Sequence, residues 1–344
     1  MERSPHFFRK AFLSVLIVLS VVVTASLLAF AGYSRSILGK IQYVDPTATS
    51  MLSQEALDQY TEPEDMEIPQ PHIPQPDDIV IPAPLPQESR SGVTNILLIG
   101  QDRRPGETRA RSDTILLCTL DPQSAILTLT SFLRDLYVTI PGYRNNRINA
   151  SYTAGGMALL DQTLEANFGI AVDGCIEVDF QQFPQIIDLL GGVSLELRQD
   201  EAEYINSVTG SRLSAGVHLL GGSEALAYAR IRKLDSDGDF SRTHRQRKLL
   251  EALLQQYRDA EFTQLAELME TLLPMVTTDL NREDILSLVL QFAPMLPRLE
   301  IRTQFIPEEG TYTYRKIRGM SVLVADMEAA RTLLQKTVAQ PDAE

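Results

Sequence analysis

Tryptophan is absent from the 344 residues, cysteine occurs twice and histidine four times. Two cysteines without clustered histidines make neither a disulfide framework nor a zinc site. Cys118 and Cys175 both lie in apolar runs and read as small buried side chains. The chain has no Walker-type phosphate loop, no dinucleotide fingerprint and no helix of paired histidines. Gly222-Ser223-Glu224 lacks the flanking glycines of a nucleophile elbow, so Ser223 reads instead as a helix N-cap. Asp235-Ser236-Asp237-Gly238-Asp239 starts like a calcium loop, yet Phe240 and Gln246 stand where glycine and glutamate are needed.

Lysine is also scarce, with 6 Lys against 25 Arg, and 45 acidic residues bring the formal charge to −14. That balance excludes a general nucleic-acid binder, whose affinity for the phosphate backbone needs an excess of basic side chains. The bias toward arginine points elsewhere: a planar, always-charged fork suits phosphate or carboxylate better than a point charge does. An apolar fraction of 44% and a charged fraction of 22% leave room for a globular domain with a sizeable core.

One uncharged run, Ala11 to Ala31, has 21 residues and is flanked by Arg9, Lys10, Arg35 and Lys40. At ~1.5 Å per residue it spans roughly the ~30 Å hydrocarbon layer. Ala29-Phe30-Ala31 allows a cleavable signal peptide as the competing reading, but the length favours an uncleaved anchor. The expected organisation is a cytoplasmic leader over 1–10 and a transmembrane signal-anchor over 11–32. The protein is then a single-pass cell-membrane protein with its bulk outside. Between residues 61 and 90 lie eight prolines, seven acids and one base, so 41–90 reads as an extended acidic spacer.

From residue 91 to 344 the pattern is globular. Val93–Ile99, Thr114–Leu120, Ala125–Phe132, Cys175–Phe180 and Val193–Leu197 read as strands, and Arg298–Phe305 as extended. Gly155–Phe168, Phe183–Leu190, Ser223–Arg230, Arg242–Arg258, Phe262–Leu273, Arg282–Phe292 and Val322–Thr337 carry helical spacing. The class is α/β, with a mixed central sheet between helical layers.

The arginines are not spread evenly: seven lie between Arg103 and Arg147 and five between Arg230 and Arg247. Asp102 ends one strand and Asp113 begins the next, so the two carboxylates can converge on one hard cation that prefers oxygen ligands. Arg134 follows a third strand. Arg242, Arg245 and Gln246 share one helix face. Such side chains are costly to bury without acidic partners or a polyanionic ligand.

Taken in order, Leu97-Leu98-Ile99-Gly100-Gln101-Asp102, Arg111-Ser112-Asp113-Thr114, Arg134-Asp135, Ile140-Pro141-Gly142, Arg147-Ile148-Asn149-Ala150-Ser151-Tyr152, Leu190-Gly191-Gly192-Val193, Tyr228-Ala229-Arg230-Ile231-Arg232 and Gly238-Asp239-Phe240 with Arg242 and Arg245-Gln246 resemble the LytR-CpsA-Psr family over residues 95–250. Gln101 stands where that pattern commonly has a small residue. The resemblance implies a transferase that moves an anionic glycopolymer from an undecaprenyl pyrophosphate carrier to peptidoglycan through a phosphodiester, with Mg²⁺ as cofactor.

It further implies that Asp102 and Asp113 hold the metal. Arg111, Arg134, Arg230, Arg232, Arg242 and Gln246 bind the pyrophosphate, and Arg134, Asp239 and Arg242 are catalytic, Asp239 accepting the proton of the incoming hydroxyl. The prenyl tail needs an apolar groove beside the arginines. Leu159, Leu160, Leu164, Phe183, Ile186, Ile187, Leu249, Leu250, Leu253 and Leu254 are candidates for its walls. A pyrophosphatase using water at the same site and a non-catalytic lipid-phosphate or wall-binding regulatory module are the alternatives.

Overall fold

The computed structural model describes residues 39, 41–59, 79, 81–83, 92–103, 109–232, 234–235 and 238–339. The expected leader and anchor, and most of the proline-rich stretch, lie outside these residues. Among the described residues no helix is long and apolar enough to cross a membrane.

The described residues begin with a short strand β1 (Gln42–Tyr43) and a helix α1 (Gln54–Gln59). Three long strands follow: β2 (Thr94–Gln101), β3 (Ser112–Asp121) and β4 (Ile126–Phe132). A small ribbon of β5 (Tyr137–Val138) and β6 (Asn146–Arg147) leads into α2 (Ile148–Phe168) and β7 (Gly174–Asp179). Next come α3 (Phe183–Leu189), β8 (Val193–Leu197), α4 (Gln199–Thr209), β9 (Gly216–Leu220) and α5 (Gly222–Ala229). The remainder is α6 (Asp239–Gln256), α7 (Phe262–Leu272), β10 (Thr277–Thr278), α8 (Arg282–Phe292), β11 (Glu300–Ile306), β12 (Tyr312–Ile317), β13 (Met320–Ala325) and α9 (Met327–Ala339).

Seven strands form the central sheet in the order β1-β10-β7-β2-β3-β4-β11. β2 pairs antiparallel with β3 and parallel with β7, and β11 pairs parallel with β4, so the sheet is mixed. Alternate residues of the central strands feed two different cores, as the period of two requires. Leu97, Ile99, Ile115 and Leu117 join Leu160, Leu164 and Phe168 of α2 and Leu334 of α9 on one face. Leu116, Leu120, Leu127 and Leu129 meet Leu250 and Leu254 of α6 and Phe292 of α8 on the other. Each fully buried side chain of this size contributes about 1.5–3 kcal/mol of transfer free energy. The layered α/β architecture expected from the apolar strands is therefore the one observed.

A separate cluster unites Ile187 of α3, Val193 and Leu195 of β8, Ile205 of α4, Leu220 of β9, Tyr228 of α5 and Leu249 of α6. Close approach within it depends on Gly222, where a Cβ would stand 2.0 Å from the Pro184 carbonyl oxygen. Gly156 interrupts α2 with φ +66°, a left-handed conformation that favours glycine.

Four expectations need correction. Residues 41–59, assigned to the spacer, are folded onto the domain. β1 pairs with β10, Leu57 is buried in the core, and Tyr143 Oη donates to the Leu52 carbonyl at 2.5 Å. Val322–Thr337 is not one helix. The alternation of Val322-Leu323-Val324 makes the end of β13, and Asp326 Oδ1 starts the helix by accepting from the Glu328 and Ala329 amides at 3.0 and 3.1 Å. Ser223 is not the cap of α5: Gly221 is, with its amide donating to Glu224 Oε2 at 3.0 Å. α4 was not expected at all, because Gln199-Asp200-Glu201-Ala202-Glu203 is too polar to show an apolar stripe. The two cysteines are free, and β2 lies between their strands, with Ile96 paired to Cys118 and Leu97 to Cys175.

Candidate functional site: an arginine cavity beside an apolar one

The site begins with an irregularity in the sheet. Gly100 pairs with Thr114 but Gln101 pairs with Ser112, so Asp113 is the extra residue of a bulge between β2 and β3. Bulges bend the strand and re-aim a side chain, and here the re-aimed carboxylate faces a cavity of about 970 Å³. Asp102, just beyond β2, lines the same cavity, together with Arg134, Arg230, Arg232, Arg242 and Gln246. Seven of the nine site residues that the sequence analysis singled out are thus brought together. Arg111, half-buried ahead of the bulge, and Asp239 are not among the lining residues.

Asp113 is the electrostatic centre. Its Oδ1 accepts from Arg134 Nη1 at 2.7 Å and lies 3.9 Å from Arg242 Nη1, while Oδ2 stands 3.4 Å from Arg232 Nη2. Burial alone would raise its pKa. The facing Arg242, Arg134 and Arg232 guanidinium groups outweigh burial and hold it below the usual carboxylate range.

Arg242 is 2% exposed, one turn into α6, and donates from Nη2 to the Asp113 carbonyl at 3.0 Å. Burial lowers its pKa, opposed by the Asp239 and Asp113 carboxylates. Its Nη2 also meets Asp239 Oδ1 at 2.7 Å, in an i,i+3 pair whose acid sits at the favourable N-terminal end of the helix. Asp239 Oδ1 also stands 3.7 Å from Arg134 Nε. Asp239 therefore braces two arginines, Arg242 and Arg134.

The rim is more open. Arg230 at the end of α5 donates to Asp102 Oδ2 at 2.9 Å, with both side chains about half exposed, and stacks 5.6 Å from the Phe180 ring centroid. Sequence reasoning did not single out Phe180, Tyr204 or Thr209 as cavity wall, since Tyr204 and Thr209 lie on the unexpected α4 and Phe180 just beyond a strand. It also missed the support of Asp135, which receives Arg147 Nη1 at 3.3 Å behind Arg134.

A second cavity, about 410 Å³ and almost wholly apolar, adjoins the first between the sheet and helices α3, α5, α6 and α7. Phe180, Leu226, Ala229 and Gln246 line both. Phe183, Ile186, Ile187, Leu249, Leu250, Leu253 and Leu254 are in its wall, as expected for a tail groove. Leu159, Leu160 and Leu164 are not: they belong to α2 and fill the core on the opposite face of the sheet.

Among the described residues no group of three or more Asp, Glu, His or Cys is placed to hold a metal. Two carboxylates lining one cavity nonetheless suit Mg²⁺, which binds through one or two carboxylates and takes its other ligands from water and substrate phosphate.

The fold and site together define an α/β protein that joins a cationic cavity to an oily one. A model of the LytR_cpsA_psr family matches residues 50–338, and the chain belongs to that family. It is 34% identical over 206 residues to a protein of Oceanobacillus iheyensis named polyisoprenyl-teichoic acid–peptidoglycan teichoic acid transferase TagU, covering 58% of this chain and 62% of that one. It is 37% identical over 164 residues to the regulatory protein MsrR of Staphylococcus aureus, covering 47% and 48%. A solved structure described as TagT bound to LIIa-WTA aligns with a TM-score of 0.60 and 25% identity, covering 73% of this chain and 92% of that one. The chain thus matches less than two thirds of the length of these two sequence relatives.

Proposed function

We propose that this protein transfers an anionic glycopolymer from an undecaprenyl pyrophosphate carrier to peptidoglycan, leaving a phosphodiester link. The observation that carries this reading is the shared wall: Phe180, Leu226, Ala229 and Gln246 border both the arginine cavity and the apolar one. A ligand with a diphosphate head and a prenyl tail matches that pair of environments, and neither a free nucleotide nor a neutral lipid does. A relative named as a polyisoprenyl-teichoic acid transferase supports the reading, as does a solved relative described as bound to LIIa-WTA.

In this chemistry an acceptor hydroxyl oxygen attacks the phosphorus attached to the polymer. The bond from that phosphorus to the bridging oxygen breaks, the lipid leaves as its monophosphate, and the hydroxyl proton passes to that departing phosphate. Such transfer asks mostly for positioning and for neutralising charge on the phosphoryl oxygens. Arg134, Arg232 and Arg242 sit where they neutralise the phosphoryl group being transferred, and Arg230 at the rim holds the other phosphate. Gln246, on both walls, marks the junction of head and tail. Asp239 keeps Arg242 and Arg134 in register. Asp102 and Asp113 would hold Mg²⁺, which supplies further neutralisation of the diphosphate when bound.

The apolar run 11–31 fits a membrane anchor that keeps the domain beside its lipid substrate on the outer side. The test is to incubate full-length protein with a prenyl-diphosphate-linked polymer and wall oligosaccharide, with Mg²⁺ or EDTA. A joined product that requires the oligosaccharide is expected. Release of phosphate or free polymer without joining makes the protein a pyrophosphatase, and binding without turnover makes it a regulatory lipid-phosphate module.

A further inference from the structure

We propose that Glu177, which takes no part in the transfer above, sets which way the Gln101 amide faces and so holds the bulge that carries Asp113 into the cavity. The inference deepens the transferase reading and rests on it for its functional half. Glu177, Gln101 and Tyr152 are 9%, 1% and 2% exposed, beneath the floor of the site. Gln101 Nε2 donates to Glu177 Oε1, and Tyr152 Oη donates to Glu177 Oε2.

An ionised carboxylate only accepts, whereas an amide has one accepting end and one donating end. With its NH₂ committed to Glu177, Gln101 must turn Oε1 the other way. There it accepts from the Ala110 amide at 3.2 Å. The preceding residue is tied to other elements: the Arg109 guanidinium donates to the carbonyls of Thr153 at 3.3 Å and Ser50 at 3.0 Å. Ala110 lies three residues before Asp113, and Gln101 pairs with Ser112 across the register shift, so one residue holds the limb that enters the bulge twice, by its backbone register at Ser112 and by its side chain at Ala110.

Burial raises the Glu177 pKa, opposed by the bonds from Tyr152 and Gln101 and by the charge of Arg103. Burial outweighs them, so the carboxyl stays above its usual range, and its accepting role rests on the two donors aimed at its oxygens. Asp102 directly follows Gln101, so the same grip fixes both carboxylates of the site relative to each other.

Glu177→Gln removes the acceptor-only character while keeping shape. Full-length variants in detergent are compared by amide hydrogen exchange over residues 109–114 and by transfer kinetics. Glu177→Gln and Gln101→Ala are expected to speed exchange at Ala110 at least tenfold, with exchange in the β2–β3 centre at Leu97 and Leu117 unchanged. They should lower kcat about tenfold with KM for the lipid-linked polymer within twofold. The exchanged pair Gln101→Glu with Glu177→Gln restores every bond: the carboxylate at 101 accepts from the amide at 177 and from Ala110, and Tyr152 donates to the amide oxygen. It is expected to recover both slow exchange and kcat, which a merely space-filling role does not predict.

Normal Ala110 exchange or normal kcat in Glu177→Gln overturns the proposal, as does failure of the exchanged pair to recover. If wild-type protein performs no transfer, the transferase reading fails, and the exchange measurements alone decide how Gln101 is oriented.

Discussion

Arg134 donates from Nη1 to Oδ1 of Asp113 at 2.7 Å, and both side chains line the charged cavity. The guanidinium of Arg134 is only 7% exposed, so its charge is balanced by protein carboxylates before any anion arrives. A planar fork can keep the carboxylate and still present a donor to a phosphoryl oxygen, whereas an ammonium group offers one charged point. Arg134→Lys is therefore expected to lower kcat of polymer transfer by about 10²–10³, the usual cost of one preorganised donor at a developing charge. Its melting temperature should stay within about 4 °C of wild type. A radiolabelled transfer assay alongside a thermal melt checks both.

The deepest charge in the site is Arg242, held by Asp239 at 2.7 Å. Removing one member of a buried pair leaves the other charge without compensation, which costs about 3–5 kcal/mol. Arg242→Met should show that loss in urea unfolding. Adding Asp239→Asn should return most of the stability but none of the transfer activity. Recovery of activity in the double variant would mean that Arg242 serves the fold alone.

Leu253 on α6 lines the apolar cavity and carries no part of the charged one. Leu253→Trp fills space that a prenyl tail would occupy. Binding of a long prenyl diphosphate, followed by titration calorimetry on wild type and variant alike, is expected to weaken at least tenfold. Inorganic pyrophosphate, which needs only the arginines, should bind as before.

Asp161 in α2 behaves in the opposite sense to Asp113. Burial first, then the carboxylates of Glu165, Asp279 and Asp173, push its pKa up to about 6 from the ordinary 3.8. The folded protein therefore binds this proton more tightly than the unfolded chain does. The resulting stabilisation is full below pH 3.8 and is lost as pH rises through about 6. A shift of this size is worth about 3 kcal/mol in a fully sheltered site, reduced to roughly 1–2 kcal/mol here by partial exposure. Asp161→Asn should raise stability by that amount above pH 6 and flatten the profile between pH 4 and 6, as read by melts across the range.

The central strands were legible because β2 and β3 are almost unbroken in Leu, Ile and Val, and a sheet covered on both faces needs such runs. The arginines were legible because charge among apolar residues at element ends demands a partner. What stayed hidden was anything decided by shape. The bulge that turns out Asp113 depends on how Gln101 is gripped, and no spacing rule reports that. Asp239 reads as one more acid in a charged motif, and only geometry shows that it pairs with both Arg242 and Arg134. Likewise Leu160 and Leu253 have the same local pattern, yet one fills the core and the other an open groove, because they cover opposite faces of one sheet. Residues 41–59 adjoin the proline-rich stretch and carry no long apolar run, and they dock through the β1–β10 pairing, buried Leu57 and the Tyr143 bond to Leu52.

On a molecule of formal charge −14, the cavity wall carries four guanidinium groups against two carboxylates. It is a positive well in a negative envelope. A polyanion drifting toward such a body is turned away along its length and drawn in at the end that carries the densest phosphate charge, so its heading is settled before contact. Added salt, by flattening both the repulsion and the pull, would let the polymer arrive sideways as often as head first.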